Sequence, residues 1–419
     1  MAGRGEKEAS RLDVFTGEAL VLNDHSTKGT AAMLVTGSVP PAPVDTDQVL
    51  RSLAPFGSSR MLPRGSYLDD AVLAWERENF FGGWQCVGRA SDVAPGGMSA
   101  ESVGDYGVLF TRDKQGELRA FENACRHRGH ELLPCGASQQ ARAIVCPYHA
   151  WSYRFDGSLI GAPGHQGVDL DKAQFSLKPV AVREWHGWVF IDRAGRGIPF
   201  DEHIGELDSI VAAYGADTFV TPVSHEYDVA ANWKVVIENY QECYHCAMIH
   251  PELTAVSPPE SGENIEKDGN WVGGWMDLRA GAETMSLDGR SGGVAIQKLS
   301  EHEQRTVMYV AVLPNLLISL HPDYIMSHLL TPLSPDRTRI RCSWAFPADV
   351  ANAEGFDPAY AVDFWDITNK QDWSACESVQ RGMNAPNFEP GPLAPVEDGV
   401  YHFVSYVAQA YQGSQAQQA

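Results

Sequence analysis

The sequence contains no run of about 18 apolar residues, which excludes a conventional membrane-spanning helix. It is short of basic residues, with 32 Lys and Arg against 54 Asp and Glu and a net charge of −22. That surplus repels phosphate backbones and anionic lipid surfaces, so nucleic-acid and membrane binding are not expected. The acidity suits a cationic ligand, although most such charges serve as solvated surface. The start lacks a basic stretch followed by an apolar one, and neither end carries a lipidation or retention signal, so a cytoplasmic location is expected. Cysteine is present at eight positions (86, 125, 135, 146, 243, 246, 342 and 376), too scattered for a disulfide scaffold; metal binding or plain burial is expected to account for them. No internal repeat is found. Gly195 and Gly197 lack the third glycine of a dinucleotide loop, Phe200 standing in its place. The chain therefore cannot draw electrons from NAD(P)H by itself.

At 419 residues the chain exceeds the roughly 250–300 at which a single core stops growing, so two domains are expected. Residues 1–44, which end in Val39-Pro40-Pro41-Ala42-Pro43, show no periodicity and are expected to be a disordered tail; 413–419 are set apart as a second tail. Within 45–83 a helix is expected from Asp69 to Phe81. Residues 84–195 read as short apolar runs cut by turns such as Val103-Gly104-Asp105-Tyr106-Gly107 and Phe155-Asp156-Gly157-Ser158, an all-β module. Residues 196–412 read as α+β: a helix from Asn232 to Met248, strands near 307–313, 316–320, 326–333 and 337–346, and a long helix over 358–381 begun by Asp357 and Pro358.

Inside the β module stand Cys125-Arg126-His127 and, eighteen residues on, Cys146-Pro147-Tyr148-His149. Common zinc fingers keep their cysteines and histidines in separate pairs, whereas each half here supplies one of each. Two thiolates on one iron and two imidazoles on the other suit a 2Fe-2S cluster of raised potential. His130 and Cys135 have no partner at ligand spacing and are expected to be structural.

The second constellation lies in Asn232–Leu253. On an ideal helix Glu238, Glu242 and His245 fall within about 60° of one another, beside Asn239 and Gln241. His250 would point about 140° away from His245, but Pro251 drives the residue before it out of the helical region, which lets His250 swing back. In the long helix, Asp372 stands in an apolar stripe with Trp365, Thr368, Cys376 and Val379; Asp366 and Asp363 are the alternatives. Two histidines and one carboxylate with an open face suit a mononuclear Fe(II) that activates O2.

The string CRHRGH…CPYHAW resembles the Rieske iron-sulfur motif, and the two constellations together make the chain similar to the α-subunits of Rieske non-haem iron oxygenases over about Ser59–Tyr411. This resemblance implies a Rieske β-sandwich inserted into a helix-grip catalytic domain, with cluster ligands at Cys125, His127, Cys146 and His149 and iron ligands at His245, His250 and Asp372. It also implies a carboxylate link at Glu242, where many relatives have Asp, catalytic roles for Glu242 and Asn239, a homotrimer, and a separate reductase or ferredoxin that relays NAD(P)H electrons. Strings such as Asn232-Trp233-Lys234 and Glu238-Asn239-Tyr240-Gln241-Glu242-Cys243-Tyr244-His245-Cys246 look most like the choline monooxygenase and glycine betaine demethylase branch. A quaternary ammonium prefers aromatic faces, for which Trp271, Trp275, Tyr309 and Tyr324 are the candidates. Aromatic or heterocyclic substrates stay open, as does a non-catalytic Rieske electron carrier.

Overall fold

The computed structural model describes residues 34–414 apart from 168, 266 and 267. Turn-punctuated apolar runs form β1 (Trp84–Arg89), β2 (Gly97–Val103), β3 (Tyr106–Arg112), β4 (Leu118–Glu122), β5 (Ser138–Gln140), β6 (Ile144–Val145), β7 (Ser152–Tyr153), β8 (Leu159–Gly161), β9 (Pro179–Trp185) and β10 (Trp188–Asp192). Seven of these pair in the order β1-β10-β9-β4-β3-β2-β5, and β6-β7-β8 make a small sheet of their own. Gly157 turns β7 into β8 at φ +83°. A Cβ there would meet the Phe121 ring at 2.5 Å, so only glycine both turns the chain and clears the ring.

The second large sheet uses β11 (Phe219–Val229), β12 (Glu263–Asn264), β13 (Trp271–Asp277), β14 (Thr306–Val312), β15 (Leu316–Leu320), β16 (Ile325–Ser334) and β17 (Arg337–Pro347), in the order β11-β17-β16-β15-β14-β13-β12. Around it lie α1 (Thr46–Ser52), α2 (Gly65–Leu68), α3 (Asp70–Asn79), α4 (Phe200–Ile204), α5 (Leu207–Tyr214), α6 (Trp233–Tyr240), α7 (Cys246–Ile249), α8 (Pro251–Val256), α9 (Ala348–Ala351), α10 (Ala359–Met383) and α11 (Asp398–Tyr411). None of the described helices is long and apolar enough to cross a membrane.

The sheet is buried on both sides, which is why β15 reads Leu-Leu-Ile-Ser-Leu without alternation. Ala311, Leu317 and Leu330 pack with α3, α6 and α11. Met308, Val310, Leu316 and Ile318 pack with Trp188, Phe190 and the α5 residues Leu207 and Val211. The two large sheets are also stitched together by Asn315, whose side chain accepts from the Cys86 amide at 3.0 Å and donates to the Cys86 carbonyl at 2.9 Å.

Two expectations are corrected. Residues 34–44 are not a loose tail: Leu34, Val35 and Val39 are buried, and Val39 and Ser414 exchange two backbone hydrogen bonds of 2.9 Å. Residues 1–33 and 415–419 lie outside the described part. The single helix expected over 232–248 is broken after Tyr240 into α6 and α7, because the Glu242 carboxylate turns back to accept the amide hydrogens of Tyr244 and His245 and so offers the backbone an alternative to the helix.

One ion pair anchors the helical layer. Lys234 Nζ lies 2.6 Å from Glu76 Oε1 with both side chains fully buried, and Trp233 and Tyr411 also donate to Glu76. The pair thus joins α3, α6 and α11. Glu76→Leu strands a buried ammonium and is expected to cost about 3–5 kcal/mol in denaturant unfolding. Glu76→Leu with Lys234→Met is expected to recover most of that loss; recovery of none would show that the pair's charges are not what the site depends on.

Candidate active site

The break after Tyr240 and the stop at Pro251 shape the site. His250 has φ −121° and ψ 68°, outside the helical region, and its ring turns back toward His245. The two Nε2 atoms are 3.2 Å apart. Asp372, from the middle of α10, places Oδ1 2.9 Å from His250 Nε2 and 3.4 Å from His245 Nε2. The three residues expected to converge therefore do so, from segments some 120 positions apart. Asp366 is engaged elsewhere, with Tyr227 and Lys370, and Asp363 is exposed.

The outer atoms of the rings settle what the inner atoms are. Gln371 donates through Nε2 to Glu252 at 3.2 Å, which leaves Oε1 to accept from His250 Nδ1 at 2.7 Å. His245 Nδ1 meets Glu242 Oε1. With both Nδ1 atoms donating outward, each Nε2 presents a lone pair inward, beside a carboxylate oxygen. Three electron-rich atoms within 3.4 Å repel unless a cation lies among them. Burial lowers the His245 pKa, but Asp372 and Glu242 outweigh it and raise it to about 9, so without a metal a proton on His245 Nε2 takes the cation's place. Two imidazoles and one carboxylate on one side of a cavity suit mononuclear iron with an open face.

The other constellation is also built as expected, from two matching loops. The Cys125 amide bonds to the His130 carbonyl at 2.8 Å and Gly129 N to Cys125 O at 2.9 Å; the Cys146 amide bonds to Trp151 O at 2.8 Å and Ala150 N to Cys146 O at 3.0 Å. Gly129 and Ala150, four residues after each cysteine, both take positive φ, 72° and 57°. Each loop thus presents its Cys and its His at one tip. The His127 and His149 rings are 4.8 Å apart, Trp151 stacks on His127 at 5.0 Å, and His127 Nδ1 is buried with no partner among the described residues. Two buried thiols and two adjacent imidazoles fit a 2Fe-2S group. The Tyr153 hydroxyl lies 3.3 Å from Cys125 Sγ. His130 and Cys135 turn instead to Glu131.

A cavity of about 950 Å³ opens over His245, His250 and Asp372 and is lined by Asn239, Tyr240, Glu242, Trp275, Tyr309, Trp365 and Thr368, among others. Of the four aromatic candidates, Trp275 and Tyr309 line it. Trp271 and Tyr324 do not. Trp271 shares a face of β13 with Trp275, four residues on, but lies deeper along the strand, where it packs with Trp188 and Phe190. Tyr324 is buried behind Trp365, whose Nε1 donates to its hydroxyl at 2.7 Å. Sequence reading missed Trp365 and Tyr240 as cavity walls; Trp365 sits two helical turns before Asp372 on the same face of α10, which was the available signal. It also missed a Cys243–Cys246 disulfide, which corrects the expectation that metal binding or plain burial accounts for all eight cysteines.

Removal of the amide that holds His250 is the gentlest test of this geometry. Gln371→Leu is expected to weaken retention of the third iron by about 10–100-fold in dialysis against a chelator, with the cluster spectrum unchanged; unchanged retention would mean that the His250 orientation does not depend on Gln371.

Comparison with known proteins agrees with both constellations. Residues 83–174 match the Rieske [2Fe-2S] domain and residues 217–413 the ring hydroxylating alpha subunit catalytic domain. The chain is 31% identical over 376 residues to the glycine betaine monooxygenase oxygenase subunit of Chromohalobacter salexigens, covering 82% of this chain and 84% of that one. It is 28% identical over 363 residues to the chloroplastic choline monooxygenase of Beta vulgaris, covering 84% and 77%. Its fold matches that of a quaternary ammonium Rieske monooxygenase with a TM-score of 0.75 at 24% identity, over 89% of this chain and 100% of that one. The chain belongs to the α-subunits of the Rieske non-haem iron oxygenases, enzymes that carry a 2Fe-2S cluster and a mononuclear iron and consume O2 with electrons supplied by a reductase.

Proposed function

We propose that this oxygenase removes an N-methyl group from a quaternary ammonium or betaine-like compound. The observation that carries this reading is the wall of the cavity: Trp275, Tyr309 and Trp365 line it together with Glu242, Glu260, Glu263 and Asp398, and Arg279 is the single Lys or Arg among the described lining residues. Aromatic faces and negative charge together favour a desolvated ammonium. An uncharged ring would gain the stacking but not the field. The Tyr309 hydroxyl, buried and without a partner among the described residues, is free to donate to a polar group of the substrate. The relatives named above act on glycine betaine and on choline.

In this reading His245, His250 and Asp372 hold the iron, which when bound supplies the O2 chemistry. Cys125, His127, Cys146 and His149 hold the cluster. One N-methyl carbon would sit in the cavity beside His245, His250 and Asp372, and oxidation at that carbon gives a hydroxymethyl ammonium that collapses to formaldehyde, a proton and the tertiary amine. One oxygen atom leaves in formaldehyde and the other in water, for two electrons taken from a separate reductase or ferredoxin. Residues 84–195 form the cluster module, and 45–83 with 196–412 the catalytic one, in a cytoplasmic protein.

A homotrimer fits the exposed surfaces. Val145 and Tyr148 at the cluster tip are about half exposed, and Tyr244 and Met248 beside the iron site are 66% and 85% exposed. Apolar side chains at both places suit contact between the cluster tip of one subunit and the iron site of the next. Glu242, which holds His245 Nδ1, lies at that surface and is the proposed bridge between them; Asn239 stands beside it on the cavity wall.

Turnover with a reductase and equal amounts of a betaine, choline or an aromatic compound tests the substrate class. Formaldehyde is expected in step with O2 consumption for a quaternary ammonium, and ring hydroxylation without formaldehyde would overturn the proposal. Glu242→Gln is expected to keep both metal sites and lose about 10–100-fold in coupled turnover; normal coupled turnover would remove Glu242 from the bridge.

A further inference from the structure

The disulfide stands at an unusual place. Cys243 and Cys246 bracket Tyr244 and His245, so the bond closes a four-residue loop that carries one of the proposed iron ligands. The second observation is independent of that bond. Cys246 is buried, and its Sγ lies 4.0 Å from His245 Nε2. Cys246, His245 and His250 each offer a ligand atom within 4.8 Å of the others. The sulfur tied up in the disulfide thus also lies beside two of the proposed iron ligands.

We infer that the Cys243–Cys246 pair is a redox-controlled fourth donor. While the disulfide is closed, Cys246 has no thiolate to offer, and the site has two histidines, Asp372 and an open face. Two electrons and two protons cleave the S–S bond to two thiols, and Cys246, losing its proton, can then bind the metal and occupy part of that face. The movement required is small. With donor bonds of about 2.1 Å to nitrogen and 2.3 Å to sulfur, ligand atoms at right angles stand about 3.1 Å apart, so Sγ must shift by at least about 1 Å toward His245. A thiolate is a softer and more donating ligand than water or carboxylate, which changes both the metal preference and the space left for O2. This inference rests on the assignment of His245, His250 and Asp372 as the iron ligands.

The test uses iron-loaded enzyme with its cluster oxidised and nitric oxide as a spin probe of the mononuclear iron. A phosphine serves as reductant: it converts the disulfide and a water molecule to two thiols and phosphine oxide, and it adds no thiol of its own. Untreated enzyme is expected to show one low-field nitrosyl signal and, by alkylation and mass spectrometry, no free thiol at positions 243 and 246. Phosphine is expected to expose both thiols and to change the symmetry of the signal. Cys243→Ser is expected to show the changed signal without phosphine, and Cys246→Ser the unchanged signal with it. Free thiols in the untreated enzyme, or a Cys243→Ser signal identical to that of untreated wild type, would overturn the inference while leaving the iron site intact. Absence of the low-field signal from wild type would overturn the iron assignment, and the inference with it.

Discussion

Everything at the catalytic end of this protein follows from placing two imidazole lone pairs and one carboxylate oxygen within 3.4 Å of each other. No arrangement of neutral protein groups makes that cluster comfortable. The chain nevertheless commits several devices to it: Pro251 turns His250 back, Glu242 breaks the helix and takes the outer nitrogen of His245, and Gln371, itself oriented by Glu252, takes the outer nitrogen of His250. Each device fixes a ring so that its inner nitrogen points to a common centre. A cation among the three atoms turns the repulsion into coordination.

The rest of the fold supports that centre. The seven-stranded catalytic sheet is packed on both faces, so α6 and α10 rest on a stiff support, and the buried Lys234–Glu76 pair locks α6 to the N-terminal and C-terminal helices. Cys376 and Val235 pack α10 against α6, which brings Asp372 to a helix that lies far from it in sequence. The cluster module is fastened to the same sheet by Asn315. The cavity above His245, His250 and Asp372 then takes its character from Trp365, which shares a helix face with Asp372, and from the acidic residues that line it.

Much of this was legible in the chain. The cluster loops announced themselves because their ligands are close in sequence and their flanks are local; Gly129 and Ala150 take the same turn for the same reason. The all-β module and four of the seven strands of the catalytic sheet, β14 to β17, follow from apolar runs and turn residues, whereas β11, β12 and β13 were not read from the sequence. The departures have physical causes that a helical wheel does not contain. Glu238 and Glu242 share a wheel face, yet the backbone breaks between them, and Glu238 instead accepts from Tyr67 at 2.7 Å. Trp271 and Trp275 both looked like cavity walls, but only Trp275 is placed there, since depth and register across β13 decide the matter. Residues 34–44 look unstructured by composition, but they gain order by pairing with Ser414 at the other end of the described chain, a contact that local pattern cannot show.

The central claim is that His245, His250 and Asp372 hold one metal that is separate from the cluster. Iron and acid-labile sulfide analysis of Asp372→Ala beside wild type addresses it most directly. Wild type is expected to hold one iron beyond the two irons and two sulfides of the cluster. The variant is expected to keep the cluster's irons, sulfides and spectrum while losing that additional iron. Retention of the additional iron by Asp372→Ala at the wild-type level would contradict the account.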